Sequence, residues 1–177
     1  MAKICDNTSV GMIIKNGNSI AVIFRKNYPE AYAMPAGHVD GDNPWSIAAK
    51  REAKEEVGMD VTQERQVFKG DIDNPCKREN GAHHNWEVSE AISWTGDLKS
   101  GDDAKAAYWK TYEEIRDLAK RTEYFMSKYK ITYGRVGDLT RAIFGGDPSD
   151  KRTDIEWLES PGLEPVWYYI LRELKYI

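Results

Sequence analysis

The segment that decides the fold runs from Gly37 to Met59 and reads GHVDGDNPWSIAAKREAKEEVGM. Its middle is rich in strong helix formers, and the residues around that middle mark the two ends of a helix. Asn43 is a good N-cap, Pro44 suits the first helical position, and Gly58 is a natural terminator after the last turn. The segment therefore predicts a helix that is capped by Asn43 and ends before Gly58.

The predicted helix carries acidic side chains inside its apolar stripe. At about 100° per residue, Glu52 and Glu56 fall within the arc of small apolar residues, and Glu55 lies at its border. Carboxylates spaced by three and four residues converge on one point, where their repulsion calls for a positive charge. A divalent cation would supply it, and oxygen-only ligands favour Mg²⁺ or Mn²⁺ over zinc. The alternative is a solvated acidic face.

The same segment resembles the Nudix box, a pattern of Gly, five residues, Glu, seven residues and then Arg-Glu-apolar-x-Glu-Glu-x-Gly-apolar. Asn43 departs from that pattern, because it stands where the first Glu belongs. The run from Trp109 to Ile115 is similar to the segment that closes many Nudix domains, so the resemblance covers roughly residues 9–118. The positions in register are Gly37, Arg51, Glu52, Ala53, Glu55, Glu56, Gly58 and Met59.

The resemblance implies an α/β fold, a Nudix-type α/β/α sandwich with a mixed β-sheet. We expect the Nudix domain in residues 1–118 and a helical C-terminal extension, residues 119–177, packed on the same domain. Upstream of the box, the apolar runs 10–14 and 20–24 flank an Asn-Gly pair and predict a hairpin. Downstream, apolar alternation predicts strands around 61–72, 84–95 and 106–110, and helical periodicity begins at Tyr112.

The resemblance also implies an activity, the metal-dependent hydrolysis of a pyrophosphate bond in a nucleoside diphosphate linked to another moiety. Carried over by position, Glu52, Glu55 and Glu56 hold Mg²⁺ (or Mn²⁺) together with the Gly37 carbonyl, and Arg51 orients the acids. Because Asn43 replaces an acid of the box, a nucleotide-binding or sensor module with weak catalysis is the alternative.

The general base and the substrate contacts are predicted outside the box. Asp103 lies six residues before Trp109, where many Nudix relatives carry an acid, although the run 100–103 also reads as a polar turn. Glu87 and Glu90 are further candidates for the base. Contacts with the substrate are expected from Arg25, Tyr28, Tyr32 and His84, although such aromatic residues are more often part of a core.

Two observations bear on the ligands of the protein. Cys76, His83 and His84 offer three zinc ligands with no second cysteine nearby in the sequence, so we do not expect a structural zinc site. Pro75 lies sixteen residues after Met59, close to where Nudix enzymes that cleave ADP-ribose often carry proline. This gives a slight preference for ADP-ribose-like substrates, with modified nucleoside triphosphates as the other class.

Composition limits the partners. The chain has 177 residues, 41% of them hydrophobic, and a net charge of −4, which fits a globular protein and argues against binding to nucleic acid. Two cysteines are too few for a disulfide framework, and no apolar stretch suits a signal peptide or a membrane span. We expect a cytoplasmic enzyme with a small-molecule nucleotide substrate and no membrane association; a homodimer is compatible with the sequence.

Overall fold

The computed structural model describes residues 3–146 and 152–177, which form eight strands and five helices. The strands are β1 (Thr8–Ile13), β2 (Lys15–Asn16), β3 (Ser19–Arg25), β4 (Tyr32–Ala33), β5 (Ala36–Gly37), β6 (Asp60–Ile72), β7 (His84–Thr95) and β8 (Ala104–Thr111). The helices are α1 (Trp45–Val57), α2 (Tyr112–Lys128), α3 (Val136–Phe144), α4 (Ile155–Glu159) and α5 (Pro165–Glu173).

The strands form two four-stranded sheets. The first has the order β5-β1-β7-β6, in which β1 and β7 run parallel and the other neighbours run antiparallel. In the second, β3 pairs antiparallel with β2, β4 and β8. The combination of helices with parallel and antiparallel strand pairs confirms the predicted α/β fold with a mixed sheet.

The hairpin predicted from residues 10–24 forms only in part. A turn at Gly17, whose φ is +57°, joins β2 to β3, but β1 belongs to the other sheet. The chain leaves the first sheet near Ile14, after β1 has paired with β5 and β7. The expectation that the whole run 10–14 pairs with 20–24 is therefore wrong. The partners of β1 are β5 and β7, of which β7 lies more than seventy residues away, and a local turn signal carries no information about either strand.

The helix that carries the acids starts one residue later than its sequence predicts. Pro44, with an extended ψ of 162°, is the N-cap, so Asn43 lies outside the helix and does not cap it. Because proline lacks an N–H, it is tolerated both as the N-cap and as the first helical residue. The amino-acid types alone therefore do not fix the first residue of the helix. The other end is confirmed, because Gly58 adopts φ 75° and donates its N–H to the Lys54 carbonyl.

Small side chains bring α1 close to the first sheet. Ala48, Ala49, Ala53 and Val57 are its buried residues. On β1, Gly11 meets α5, because a Cβ at Gly11 would lie only 2.6 Å from Cη2 of Trp167. The C-terminal helix therefore shares one core with the strands, while the division of the chain at residue 118 stays a prediction. None of the helices in residues 3–146 and 152–177 is long and apolar enough to cross a bilayer.

Candidate active site

A cleft of about 310 Å³ opens where α1 faces β5 and the loops that follow β3, β6 and β7. It gathers nearly all residues that the sequence predicts for the site. Tyr32 is one exception, because its ring packs against Phe24 and Tyr108, at centroid distances of 4.8 and 6.3 Å, and does not line the cleft. The predicted residues in the lining are Arg25, Tyr28, Gly37, Arg51, Glu52, Glu55, Glu56, His84 and Asp103.

The closest approach in the cleft is between Glu52 of α1 and Gly37 of β5. A Cβ at Gly37 would lie 2.2 Å from Cδ of Glu52, so only glycine leaves room for the carboxylate against the strand. The Glu52 side chain is 13% exposed, and burial raises its pKa, although Arg51 opposes this shift. The glycine of the box thus has a steric role that its sequence position alone does not reveal.

Glu56 lies one turn further along α1 and faces the same strand. Its Oε2 accepts a hydrogen bond of 2.8 Å from the Ala36 N–H. Burial raises the pKa of Glu56 to about 8, with the charges of Glu52 and Glu164 adding to the effect and Arg25 opposing it. Glu55 differs from both, because its side chain is 59% exposed at the mouth of the cleft. The acids therefore span the cleft from its interior to its opening.

Arg51 ties the acids to the loop between β5 and α1. Its Nη1 lies 2.5 Å from Oε1 of Glu52 and 3.5 Å from Oε2 of Glu55, and its Nε lies 3.1 Å from Oδ2 of Asp42. Its Nη2 donates to the His38 carbonyl at 3.0 Å. Asp42, next to Asn43, thus supplies the loop carboxylate that pairs with Arg51. No role for Asp42 was predicted from the sequence.

The cleft also contains a cation, Arg25, whose side chain is 22% exposed. Arg25, at the end of β3, lies 3.7 Å from Oε2 of Glu164 and donates from Nη2 to the Tyr28 carbonyl at 3.3 Å. Burial opposes its charge, but Glu164, Glu56 and Asp103 raise the pKa of Arg25 above its ordinary value. Its Nε has no hydrogen-bond partner among the described residues. Glu164, just before α5, was not foreseen because nothing local in the sequence links it to β3.

Asp103 reaches the cleft through a loop that docks on α1. The Gly101 N–H donates to the Glu56 carbonyl at 2.9 Å, and a Cβ at Gly101 would lie 2.1 Å from the Glu55 carbonyl oxygen. The Asp103 side chain accepts from Asn27 Nδ2 at 3.0 Å and lines the cleft, whereas Asp102 does not. The loop therefore presents one of its two aspartates to the acids of α1.

The two other candidates for the base lie elsewhere. Glu87 pairs with Lys69 at 2.7 Å. Glu90 pairs with Lys15 at 2.8 Å and accepts from the Tyr176 hydroxyl at 2.8 Å. Neither carboxylate lines the cleft, and both have cationic partners of their own on the sheet. Asp103 is thus the candidate base that the fold brings to the α1 acids.

His84 lines the cleft, but protein atoms engage both of its ring nitrogens. Nδ1 lies 2.9 Å from the Asn74 carbonyl oxygen and Nε2 lies 3.1 Å from Sγ of Cys5. Burial lowers the pKa of His84, and that of His38 to about 4, so both rings are neutral near pH 7. The expectation that no second cysteine accompanies Cys76 is wrong, because Cys5 Sγ lies 3.7 Å from Cys76 Sγ.

Comparison with known proteins identifies the family of the chain. The model of the NUDIX domain matches residues 6–131, which include β1 to β8 and the whole of α1 and α2. The chain belongs to the Nudix family. It is a hydrolase that acts on pyrophosphate bonds, and this family generally uses divalent cations. No curated protein matches the sequence.

Solved Nudix structures share the fold. The MutT Nudix hydrolase from Burkholderia pseudomallei is 25% identical, with a TM-score of 0.53 over 61% of this chain and 84% of that chain. A MutT protein from Bacillus halodurans, 15% identical, has a TM-score of 0.53 over 72% and 84% of the two chains. The Nudix domain of Shewanella oneidensis NrtR, solved with ADP ribose, is 10% identical with a TM-score of 0.52 over 75% and 90%.

The contact between Gly37 and Glu52 gives a first prediction. In Gly37→Ala, the new methyl group must displace the Glu52 carboxylate, so we expect kcat to fall by about tenfold to a hundredfold, the usual cost of disturbing the support of a metal ligand. Steady-state kinetics at saturating Mg²⁺ measures the effect. Gly146→Ala is the matched control, because no described atom lies within 4 Å of the Cβ it adds. Equal kcat in both variants would contradict the prediction.

Proposed function

We propose that this Nudix enzyme hydrolyses the pyrophosphate bond of a nucleoside diphosphate linked to another moiety, with Mg²⁺ or Mn²⁺ held by Glu52, Glu55, Glu56 and the Gly37 carbonyl. The observation that carries the proposal is the gathering of three carboxylates of α1 at one cleft, which the guanidinium group of Arg25 also lines. Such an arrangement suits a phosphate chain that runs between a metal ion and a guanidinium group.

The residues present fit a hard divalent cation. The donor set contains only carboxylate and carbonyl oxygens, which Mg²⁺ and Mn²⁺ prefer. The charge of Arg51 is already divided among Glu52, Glu55 and Asp42, so it cannot also balance Glu56. Burial raises the pKa of Glu56 to about 8, and Arg25 opposes this shift only in part, so the negative charge of this carboxyl is poorly balanced. A cation bound here would remove that imbalance.

Each protein group then has a distinct task. When bound, the cation polarises the phosphate and lowers the pKa of the attacking water. Arg25, which lines the cleft, binds a phosphate oxygen through its guanidinium group and balances the charge that develops on the phosphate. Asp103 accepts the proton of the water, and Asn27 holds that carboxylate in place through its hydrogen bond of 3.0 Å. Arg51 keeps Glu52 and Glu55 oriented from the side of the loop.

Two cleft residues support a proposal for the substrate class. Pro75 lines the cleft, and its position in the sequence favours ADP-ribose-like substrates. Tyr28 supplies an aromatic ring to the same lining, where a base or sugar can pack against it. The rings of Tyr28 and Phe144 pack edge-on, with their centroids 6.1 Å apart. We therefore propose ADP-ribose-like compounds as the preferred substrates and modified nucleoside triphosphates as the second class.

A substrate panel tests the proposal. The protein is incubated with Mg²⁺ or Mn²⁺ and either ADP-ribose or a modified nucleoside triphosphate, and chromatography measures the release of nucleoside monophosphate. We expect metal-dependent release, with ribose 5-phosphate as the second product from ADP-ribose and pyrophosphate from a triphosphate. Tight nucleotide binding without turnover, for either class and either metal, would instead support a nucleotide-binding module, in line with Asn43 in place of the first box acid.

A further inference from the structure

Two cysteines and two histidines from distant parts of the chain meet beside the acidic cleft. Sγ of Cys5 lies 3.4 Å from Nε2 of His38, 3.1 Å from Nε2 of His84 and 3.7 Å from Sγ of Cys76. Sγ of Cys76 lies 3.7 Å from Nε2 of His38. All four ligand atoms lie within 4.8 Å of one another. They come from the segment before β1, the loop after β5, the loop after β6 and the start of β7.

These spacings are those of a tetrahedral site. Zn–S bonds of about 2.3 Å and Zn–N bonds of about 2.0–2.1 Å place ligands about 3.8 Å apart for two sulfurs and about 3.6 Å apart for sulfur and nitrogen. The sulfur pair, at 3.7 Å, fits this value. Of the four sulfur–nitrogen distances, those from His38 to Cys5 and Cys76, at 3.4 and 3.7 Å, fall within 0.2 Å of theirs. The distance from Cys5 to His84 is shorter, at 3.1 Å, and that from Cys76 to His84 is at most 4.8 Å.

The surroundings of the four residues prepare them to act as ligands. The Nδ1–H of His84 donates to the Asn74 carbonyl at 2.9 Å, which leaves the lone pair of Nε2 directed at the cluster. Backbone N–H groups donate to both sulfurs at 3.3 Å, from Asn7 to Cys5 and from Arg78 to Cys76. The bond from Arg78 favours the thiolate of Cys76, although burial raises the pKa of this thiol to about 11.

The backbone also makes room for the cluster. A Cβ at Gly81 would lie 2.1 Å from Sγ of Cys76 and 3.2 Å from Cβ of Cys5. The Cys76 N–H donates to the Gly81 carbonyl at 2.9 Å, and the Cys5 N–H donates to the Glu79 carbonyl at 2.9 Å. The loop after β6 is therefore folded around the two sulfurs and fastened to the segment that carries Cys5.

We infer that Cys5, His38, Cys76 and His84 form a zinc site of the Cys₂His₂ type. Four protein ligands close the coordination shell, so the site is structural and leaves no position for a substrate. Its sulfur and nitrogen donors select zinc, whereas the all-oxygen donors of α1 select Mg²⁺ or Mn²⁺. The two neighbouring sites thus differ in the metal they accept.

The zinc site would hold one wall of the active-site cleft. His38 follows Gly37 directly, and its carbonyl accepts from Nη2 of Arg51 at 3.0 Å. A zinc ion on the ring of His38 therefore fixes the backbone that positions Arg51, and it joins this loop to β7 and to the segment before β1. Its contribution is to stability and to the order of the cleft, not to the chemistry of the phosphate.

Metal analysis of the purified protein is the test. We expect about one zinc per chain after expression in zinc-supplemented medium, and a fall to background in both Cys5→Ser and Cys76→Ser, because each loses a thiolate ligand. His83→Asn is the matched control, since His83 adjoins His84 but lies outside the cluster. It should keep the zinc of the parent.

A second measurement needs no variant and separates loss of a ligand from loss of the fold. The zinc of the parent is replaced with Co²⁺, and the absorption spectrum is recorded; we expect thiolate-to-cobalt charge-transfer bands and the intense ligand-field bands of tetrahedral Co²⁺. Absence of both zinc and these bands in the folded parent would overturn the inference. So would retention of zinc in both cysteine variants, or a disulfide between Cys5 and Cys76 in protein isolated without reductant.

Discussion

Glu56→Gln should lower kcat by at least about a hundredfold, because groups that merely support metal ligands already contribute about 10–100-fold in activity. The substitution removes a carboxylate from the proposed metal site but keeps an oxygen that can accept from the Ala36 N–H. It also removes a charge whose burial raises the pKa of Glu56 to about 8. The fold should therefore be retained, with an unfolding midpoint in metal-free buffer no lower than that of the parent.

Steady-state kinetics against Mg²⁺ concentration, with a thermal melt of the same preparation, measures both effects. Glu113→Gln is the control, because Glu113 is exposed on α2 and far along the chain from the box. This control should match the parent in kcat and in the metal concentration for half-maximal rate. Parent-like turnover by Glu56→Gln would remove this residue from the metal site, and a lowered melting midpoint would show that its charge serves the fold.

The acids of α1 were predictable because the helix period relates residues only three or four positions apart. Glu52 and Glu56 fall inside the apolar stripe on any helical wheel, and the structure places both against β5. Gly58 could be identified in the same way, from a local requirement for positive φ. Features of this kind follow from neighbours in the sequence and need no knowledge of the tertiary fold.

Features that depend on distant pairs were not predictable from the sequence. The parallel pairing of β1 with β7 separates β1 from the hairpin that its turn signal indicates. The ion pair between Arg25 and Glu164 joins residues at opposite ends of the chain. Cys5 is seventy-one positions away from Cys76, so the sequence grouped Cys76 and His84 with the adjacent His83, whereas the fold brings them together with Cys5 and His38.

The two proposed metal sites share the loop that follows β5. This loop connects the acids of α1, which the sequence predicts, with the cluster of cysteines and histidines, which it does not. His38 lies between them, with its ring in the cluster of cysteines and histidines and its carbonyl bonded to Arg51. Arg51 in turn contacts Glu52 and Glu55. The local helix pattern supplies the acids, but contacts between distant segments set the loop against which these acids are held.

Asp103→Asn should lower kcat by about a hundredfold or more, the usual contribution of a general base, with little change in KM. The amide cannot accept a proton, but it can keep a hydrogen bond to Asn27 after rotation of the side chain. The loop should stay in place, because it docks through the Gly101 N–H on the Glu56 carbonyl and not through the Asp103 carboxylate. The rate of monophosphate release as a function of pH measures the loss.

Asp102→Asn provides the matched control, since the adjacent residue has the same charge and sits in the same loop but does not line the cleft. If the loss of negative charge alone lowered kcat, both variants would be affected alike. If Asp103 is the general base, only Asp103→Asn loses activity. The rate of monophosphate release should therefore fall in Asp103→Asn and stay close to that of the parent in Asp102→Asn. Equal rates in the two variants would exclude Asp103 as the base and return that task to the acids of α1, where Glu55 is the most exposed of the three.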